Sequence, residues 1–130
     1  MAKPVLIDTS AWVEAMRRTG DADTRSQVQA ILRSGRARFC DFVRLELWNG
    51  VGGDAERTWL AELEQSVEMV STDAEVWSEA RRLAQETRRQ ALTLPASDLL
   101  IAACSRVHGL EILHRDGHFD RLASILPPEE

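Results

Sequence analysis

This 130-residue chain predicts an α/β fold with helices on both faces of a mostly parallel sheet of about four to five strands. Three observations predict it. Short apolar runs alternate with longer stretches along the whole length, as β–α units do. Within the longer stretches the apolar positions recur at helical spacing. Glycine, proline, and acidic or hydroxyl residues stand at the boundaries.

The elements follow in order. Val5 to Asp8 is strand one, and the hydroxyl of Thr9 or Ser10 caps the next helix. Trp12, Val13 and Met16 form its apolar side, and Gly20 stops it. A helix over Ala22 to Arg33 turns Val28, Ile31 and Leu32 inward, with Gly35 after it. Ala37 to Cys40 is strand two. Leu45, Trp48 and Val51 mark the apolar side of a helix that carries Glu46 on a neighbouring face. Gly50-Val51-Gly52-Gly53 reads as a loop or helix end, and Asp54 caps a helix holding Trp59, Leu60 and Leu63. Val67 to Val70 is strand three. Thr72-Asp73-Ala74-Glu75 fits a capping box, in which hydroxyl and carboxylate satisfy each other's backbone amides. The helix behind it buries Val76, Trp77, Ala80, Leu83, Ala84 and Thr87. Pro95 halts the chain, and the helix from Ser97 to His108 is apolar nearly all round, hence central. Gly109 ends it; Glu111 to His114 is strand four. Phe119 to Ala123 is a short helix, and Ser124 to Leu126 offers a fifth, edge strand before Pro127-Pro128.

The length suits one domain, residues 1–130, with a core of its own. The longest apolar stretch, Leu99 to Cys104, is far too short to span a bilayer, and the start carries no signal peptide. Cys40 and Cys104 lack metal-ligand spacing and read as small buried residues in a reducing compartment, the cytoplasm. A net charge of −5 excludes a surface that grips nucleic acid everywhere, but leaves room for a basic rim around an acidic pocket. Lys3 is the only lysine; the other basic residues are arginines, whose planar fork suits phosphate.

Asp8, Glu46, Asp98 and Asp116 each fall where a strand ends or a helix begins. In a parallel α/β sheet those ends converge on one edge. Two ionised carboxylates ~5 Å apart repel by roughly 3 kcal/mol at an effective dielectric near 20. Such a cluster shares protons or binds cations. An all-oxygen donor set favours Mg²⁺ or Mn²⁺, which can activate water for in-line attack on a phosphodiester. Each acid also has a plain role: Asp8 and Asp116 as turn residues, Glu46 as a solvated helix acid, Asp98 as a complement to the helix dipole. Asp120 stands ready to replace Asp116. Ser10 serves as a cap or as a hydroxyl near phosphate. His114 and His118 flank Asp116 and read as structural or exposed; His108 complements a helix C-terminus. The four tryptophans read as core or subunit packing. Arg44, Arg88, Arg89 and Arg115 are the candidates for an RNA-facing rim.

Leu6-Ile7-Asp8-Thr9-Ser10-Ala11-Trp12, Leu45-Glu46-Leu47, the run Pro95 to Ala103 and the run Leu113 to Asp120 together resemble a PIN-domain ribonuclease, more narrowly a toxin of the VapBC type of toxin–antitoxin module. The resemblance implies a PIN-like α/β/α sandwich and a Mg²⁺- or Mn²⁺-dependent endoribonuclease. Asp8 and Asp98 would be principal metal ligands, with Glu46 and Asp116 completing the catalytic pocket directly or through water. It also implies a homodimer, an RNA substrate, a cognate antitoxin whose tail crosses the pocket, and operator DNA bound only through that antitoxin. Trp48-Asn49 is bulkier than the pattern. Phosphoaspartate receivers and haloacid-dehalogenase-like phosphatases fit poorly, since both use a late lysine and the latter an aspartate where this chain has Ser10. A non-catalytic PIN-like interaction module is the alternative.

Overall fold

The computed structural model describes residues 2–126. Among them the chain runs β1 (Val5–Ile7), α1 (Thr9–Met16), α2 (Ala22–Arg33), β2 (Ala37–Cys40), α3 (Asp41–Gly50), α4 (Asp54–Ser66), β3 (Glu68–Val70), α5 (Ala74–Arg89), α6 (Ala96–His108), β4 (Glu111–Leu113) and α7 (Gly117–Ile125). The sheet order is β3-β2-β1-β4. Every ladder is parallel, with Val5 opposite Ala37, Ile7 opposite Leu113 and Phe39 opposite Met69. All four strands therefore deliver their following residues to one edge. The Asp8 backbone N–H donates to the Leu113 carbonyl at 2.9 Å, which aligns the ends of β1 and β4.

Leu6, Ile7, Phe39, Val43, Leu60, Val76 and Leu83 form a dry core around that sheet. As its composition predicts, α6 is central: every residue from Asp98 to Ser105 is buried, and α5 packs along it. Cys40 and Cys104 are free thiols that meet in this core. Their hydrogen bond lowers the Cys40 thiol's pKa and, with burial, raises that of Cys104.

The structure corrects several local expectations. Aspartates, not hydroxyls, cap α1 and α5: Asp8 accepts from the Ser10 N–H, and Asp73 from the Val76 N–H at 3.2 Å. A carboxylate carries full charge toward the positive end of the helix, which a hydroxyl does not. The capping box therefore does not form, and the Thr72 hydroxyl is buried without a partner among the described residues. Gly53 caps α4, leaving Asp54 in its first turn. Helix α3 begins at Asp41, directly after β2, so Val43 and Leu47 make the buried pair and Leu45 is 63% exposed. Trp77 is also exposed. Residues 124 and 125 extend α7, so no fifth strand occurs among the described residues; Pro127-Pro128 lies outside them.

Gly20 does not end α1, which stops at Met16 with the Arg17 N–H bonded to the Val13 carbonyl. A Cβ at Gly20 would lie 1.9 Å from the Glu14 carbonyl oxygen. Glycine is required there by close backbone approach. Gly20→Ala should cost roughly 1–3 kcal/mol in chemical denaturation. Gly52→Ala, where nothing lies within 4 Å of the added carbon, is the control and should unfold within about 0.5 kcal/mol of the parent.

Candidate active site

The sheet edge collects the predicted acids. Asp8 closes β1 and is 4% exposed. Its Oδ2 accepts from the Ser10 N–H at 3.0 Å and from the Ser10 hydroxyl at 2.5 Å. The Ser10 oxygen accepts in turn from the Arg115 N–H at 2.9 Å, tying the loop after β4 to the start of α1. Thr9 holds the next acid: its hydroxyl donates to Glu46 Oε1 at 2.7 Å, drawing α3 toward α1. Thr9-Ser10 thus fixes two carboxylates from consecutive positions.

Asp98 lies in the first turn of α6 and is 9% exposed. Asp116 caps α7, accepting from the His118 N–H at 2.9 Å. That turn carries the His118 ring back across the site. Its Nδ1 lies 2.7 Å from Asp98 Oδ2 and 3.1 Å from Asp116 Oδ1. Among the described residues, Asp98, Asp116 and His118 offer ligand atoms all within 4.8 Å of one another.

The electrostatics show that the acids feel one another. Burial pushes the Glu46 carboxyl above its ordinary value; the Asp8 and Asp98 charges add to this, against the Thr9 hydrogen bond. Burial also raises Asp98, with the Asp116 and Asp8 charges adding and His118 opposing. Burial opposes ionisation of Asp116, but the His118 backbone N–H and imidazole prevail, and its pKa is lowered. Two carboxyls of one pocket pushed apart in this way behave as a pair sharing a proton. The positive ends of α1, α6 and α7 offset part of the repulsion.

Asp98 and Asp116 are therefore in direct association, while Asp8 and Glu46 adjoin them through charge and through Thr9-Ser10. Asp120 does not substitute for Asp116: it is exposed and reaches His114 Nε2 at 3.5 Å. No metal-ligand spacing in the sequence singles out His118, because its aim comes from the Asp116 cap; Asp-x-His opening a helix is the available signal. Arg115 alone of the four rim candidates is tied to the site, through its backbone. Arg44 pairs with Glu64 at 3.0 Å, and Arg89 with Glu86 at 2.6 Å. The donor set fits a hard divalent cation: carboxylates dominate, their charge is in excess, and burial makes that excess costly. The His118 nitrogen departs from the all-oxygen set and is compatible with Mn²⁺.

Residues 5–125 match the PIN domain model. The chain is 34% identical over 125 residues to VapC ribonuclease Mb1587 of Mycobacterium bovis, covering 93% of this chain and 92% of the relative. It matches Ribonuclease VapC11 of Mycobacterium tuberculosis to the same extent. The chain belongs to the PIN-domain VapC ribonucleases.

This VapC-family chain shares its fold with VapBC2 from Rickettsia felis, solved bound to a DNA fragment from their promoter. The TM-score is 0.78 at 16% identity, over 94% of this chain and 95% of that one. FitAcB from Neisseria gonorrhoeae superposes with a TM-score of 0.73 at 20% identity, over 93% and 94% of the two chains. The α/β/α architecture implied by the PIN-like motifs is the one observed. Among the described residues no helix is long and apolar enough to cross a membrane.

A raised carboxyl has a consequence for stability. Its contribution is complete below the unfolded pKa and is lost as pH rises through the folded pKa. Metal-free Glu46→Gln should therefore melt above the parent at neutral pH, with the gap closing as pH falls through the carboxylate range. Thermal scans across pH in chelator check this; a variant that melts lower at neutral pH contradicts it.

Proposed function

We propose that this protein is a metal-dependent endoribonuclease toxin that hydrolyses RNA phosphodiester bonds in the Asp8–Glu46–Asp98–Asp116 pocket and is neutralised by a cognate antitoxin. One observation carries the reading: Asp8 and Asp98, ninety positions apart in sequence, are both buried at one sheet edge, close enough that the Asp8 charge helps raise the Asp98 pKa. The names of the VapC relatives supply the ribonuclease class, and the VapBC complexes among the structural neighbours supply the antitoxin. Operator DNA would be reached through that antitoxin. The toxin would work in the cytoplasm, as a homodimer.

Asp8, Asp98 and Asp116 would hold Mg²⁺ or Mn²⁺, with Glu46 and His118 beside them. The ion supplies Lewis acidity toward a phosphoryl oxygen and toward water. The chain's own residues do the rest. Ser10 holds the Asp8 carboxylate with two hydrogen bonds, and the Thr9 hydroxyl holds Glu46 with one. With Oε1 engaged by Thr9, Glu46 Oε2 is the oxygen left to take a proton from attacking water. The raised pKa of Glu46 brings it nearer the range a general base needs. His118 orients Asp98 and Asp116 toward each other through Nδ1.

The test is incubation of purified protein with structured and single-stranded RNAs in Mg²⁺, in Mn²⁺ and in chelator. Cleavage in metal alone is expected. No cleavage of any RNA by folded protein returns the reading to an interaction module. A second readout needs no RNA: Mn²⁺ at about 100 times its Kd should stabilise the parent by about 2.7 kcal/mol. An unmoved melting temperature contradicts the site.

A further inference from the structure

The turn that opens α7 brings one nitrogen into the acidic pocket. Asp116 caps that helix, and its Oδ1 accepts from the His118 N–H at 2.9 Å. The same oxygen lies 3.1 Å from His118 Nδ1. Asp98 Oδ2, from the first turn of α6, is 2.7 Å from that nitrogen. The backbone beneath the ring is anchored, since Phe119 and Leu122 of α7 are buried. One nitrogen facing two carboxylates has two readings. As a hydrogen-bond donor it has a single proton at Nδ1, which can point well along only one of the two lines. As an electron-pair donor it completes a face of three ligand atoms, all within 4.8 Å of one another. With metal–ligand bonds of ~2.1 Å, neighbouring corners of an octahedron lie ~3.0 Å apart. The two nitrogen–oxygen separations, 2.7 and 3.1 Å, bracket that edge. Either distance alone suits a hydrogen bond; the convergence of all three atoms suits a cation.

We propose that His118 Nδ1 is a direct metal ligand, and that this nitrogen makes the pocket select divalent transition ions over Mg²⁺. The inference rests on the metal-dependent reading of the site and adds which ions it favours. Magnesium prefers oxygen donors and gives up its waters reluctantly, so an imidazole in the donor set gains it little. Affinity for a nitrogen-containing site rises instead from Mn²⁺ to Co²⁺ to Ni²⁺. Carboxylates alone would separate Mg²⁺ from these ions far less. His114 does not take this part. Its Nδ1 accepts from the Asp116 N–H at 3.2 Å, and its Nε2 faces exposed Asp120 at 3.5 Å.

Calorimetric titration of the full chain with each metal alone is the test, and His118→Asn is the deciding variant. The asparagine amide oxygen reaches about as far as Nδ1, so the substitution exchanges nitrogen for oxygen in place. It should weaken Mn²⁺ and Co²⁺ binding about tenfold or more, with Mg²⁺ affinity within about threefold of the parent. Unchanged Mn²⁺ affinity, or equal losses for Mn²⁺ and Mg²⁺, would mean a ring that only positions the carboxylates, and overturns the assignment. A second readout needs no variant. Electron spin-echo modulation of Mn²⁺ bound to the parent should show a coordinated nitrogen, with the pattern altered by ¹⁵N-labelled histidine. If Mn²⁺ binds and RNA is cleaved without that coupling, the ligand is overturned while the nuclease stands. If the coupling is present and no RNA is cleaved, the ligand stands and the nuclease reading falls. If the folded chain binds neither Mn²⁺ nor Co²⁺, both are overturned.

Discussion

Asp98→Asn should reduce metal-dependent RNA cleavage by about a thousandfold or more, the loss expected when several kcal/mol of charge stabilisation leave a metal site. Asp98 is the right position because it separates chemistry from folding. Its carboxyl sits in the first turn of a helix buried from residue 98 to residue 105, where burial already pushes its pKa up. The metal-free fold is therefore working against that charge. Asparagine removes the charge and keeps the shape, so the variant should fold and, without metal, melt no lower than the parent. It should also lose most of the Mn²⁺-induced rise in melting temperature. Asp8→Asn is a harder substitution to interpret. Asparagine caps helices about as well as aspartate, but Asp8 Oδ2 takes two hydrogen bonds from Ser10, so a loss of activity there mixes ligation with the geometry of α1. Asp120→Asn is the control: its carboxylate is exposed and, among the described residues, pairs with the His114 ring, and cleavage should stay within about twofold, as for a surface substitution. Retention of cleavage by folded Asp98→Asn, measured by gel in Mg²⁺ and Mn²⁺, overturns the site.

The parts of this site legible in the sequence were those set by topology. A parallel sheet places the ends of β1 and β4 side by side whatever the local details, so Asp8 and the loop that carries Asp116 had to leave the sheet at one edge. The apolar run after Asp98 marked a central helix, and a central helix in such a sheet brings its first turn to the same edge. Glu46 depended on the phase of α3, which was misjudged because Leu45 is apolar yet exposed and Val43 is the buried residue. Even so, Glu46 kept its place, since it lies one position from Leu47 and Thr9 draws it in. What periodicity could not show was side-chain aim. Aspartate capping at positions 8, 73 and 116 and the return of the His118 ring are decided by one or two torsions and a hydrogen bond.

Trp12→Ala should be among the most destabilising single changes in this chain, about 3–5 kcal/mol. The ring is fully buried one turn beyond Asp8. It lies 5.3 Å from Phe39 of β2 and 6.2 Å from Trp59 of α4, joining the sheet to two helices at one point. Truncation leaves a void that strand and helix cannot both close, since β2 is held in the sheet and α1 is held by the Asp8 cap. A loss of that size is a large fraction of the ~5–15 kcal/mol that a domain has to spare. Phenylalanine divides the contribution. The Trp12 indole N–H is buried with no hydrogen-bond partner among the described residues, so its polar atom costs the fold and gives nothing back. Trp12→Phe removes that burden along with some ring volume, and should cost less than half as much as Trp12→Ala in urea unfolding. Equal losses would mean that the N–H is bonded, by water or by a group that moves. The same pair of variants tests how the core serves the pocket. Asp8 is presented by the first turn of the helix that Trp12 anchors. Trp12→Ala should therefore weaken Mn²⁺ stabilisation even well below its melting temperature, while Trp12→Phe leaves it intact.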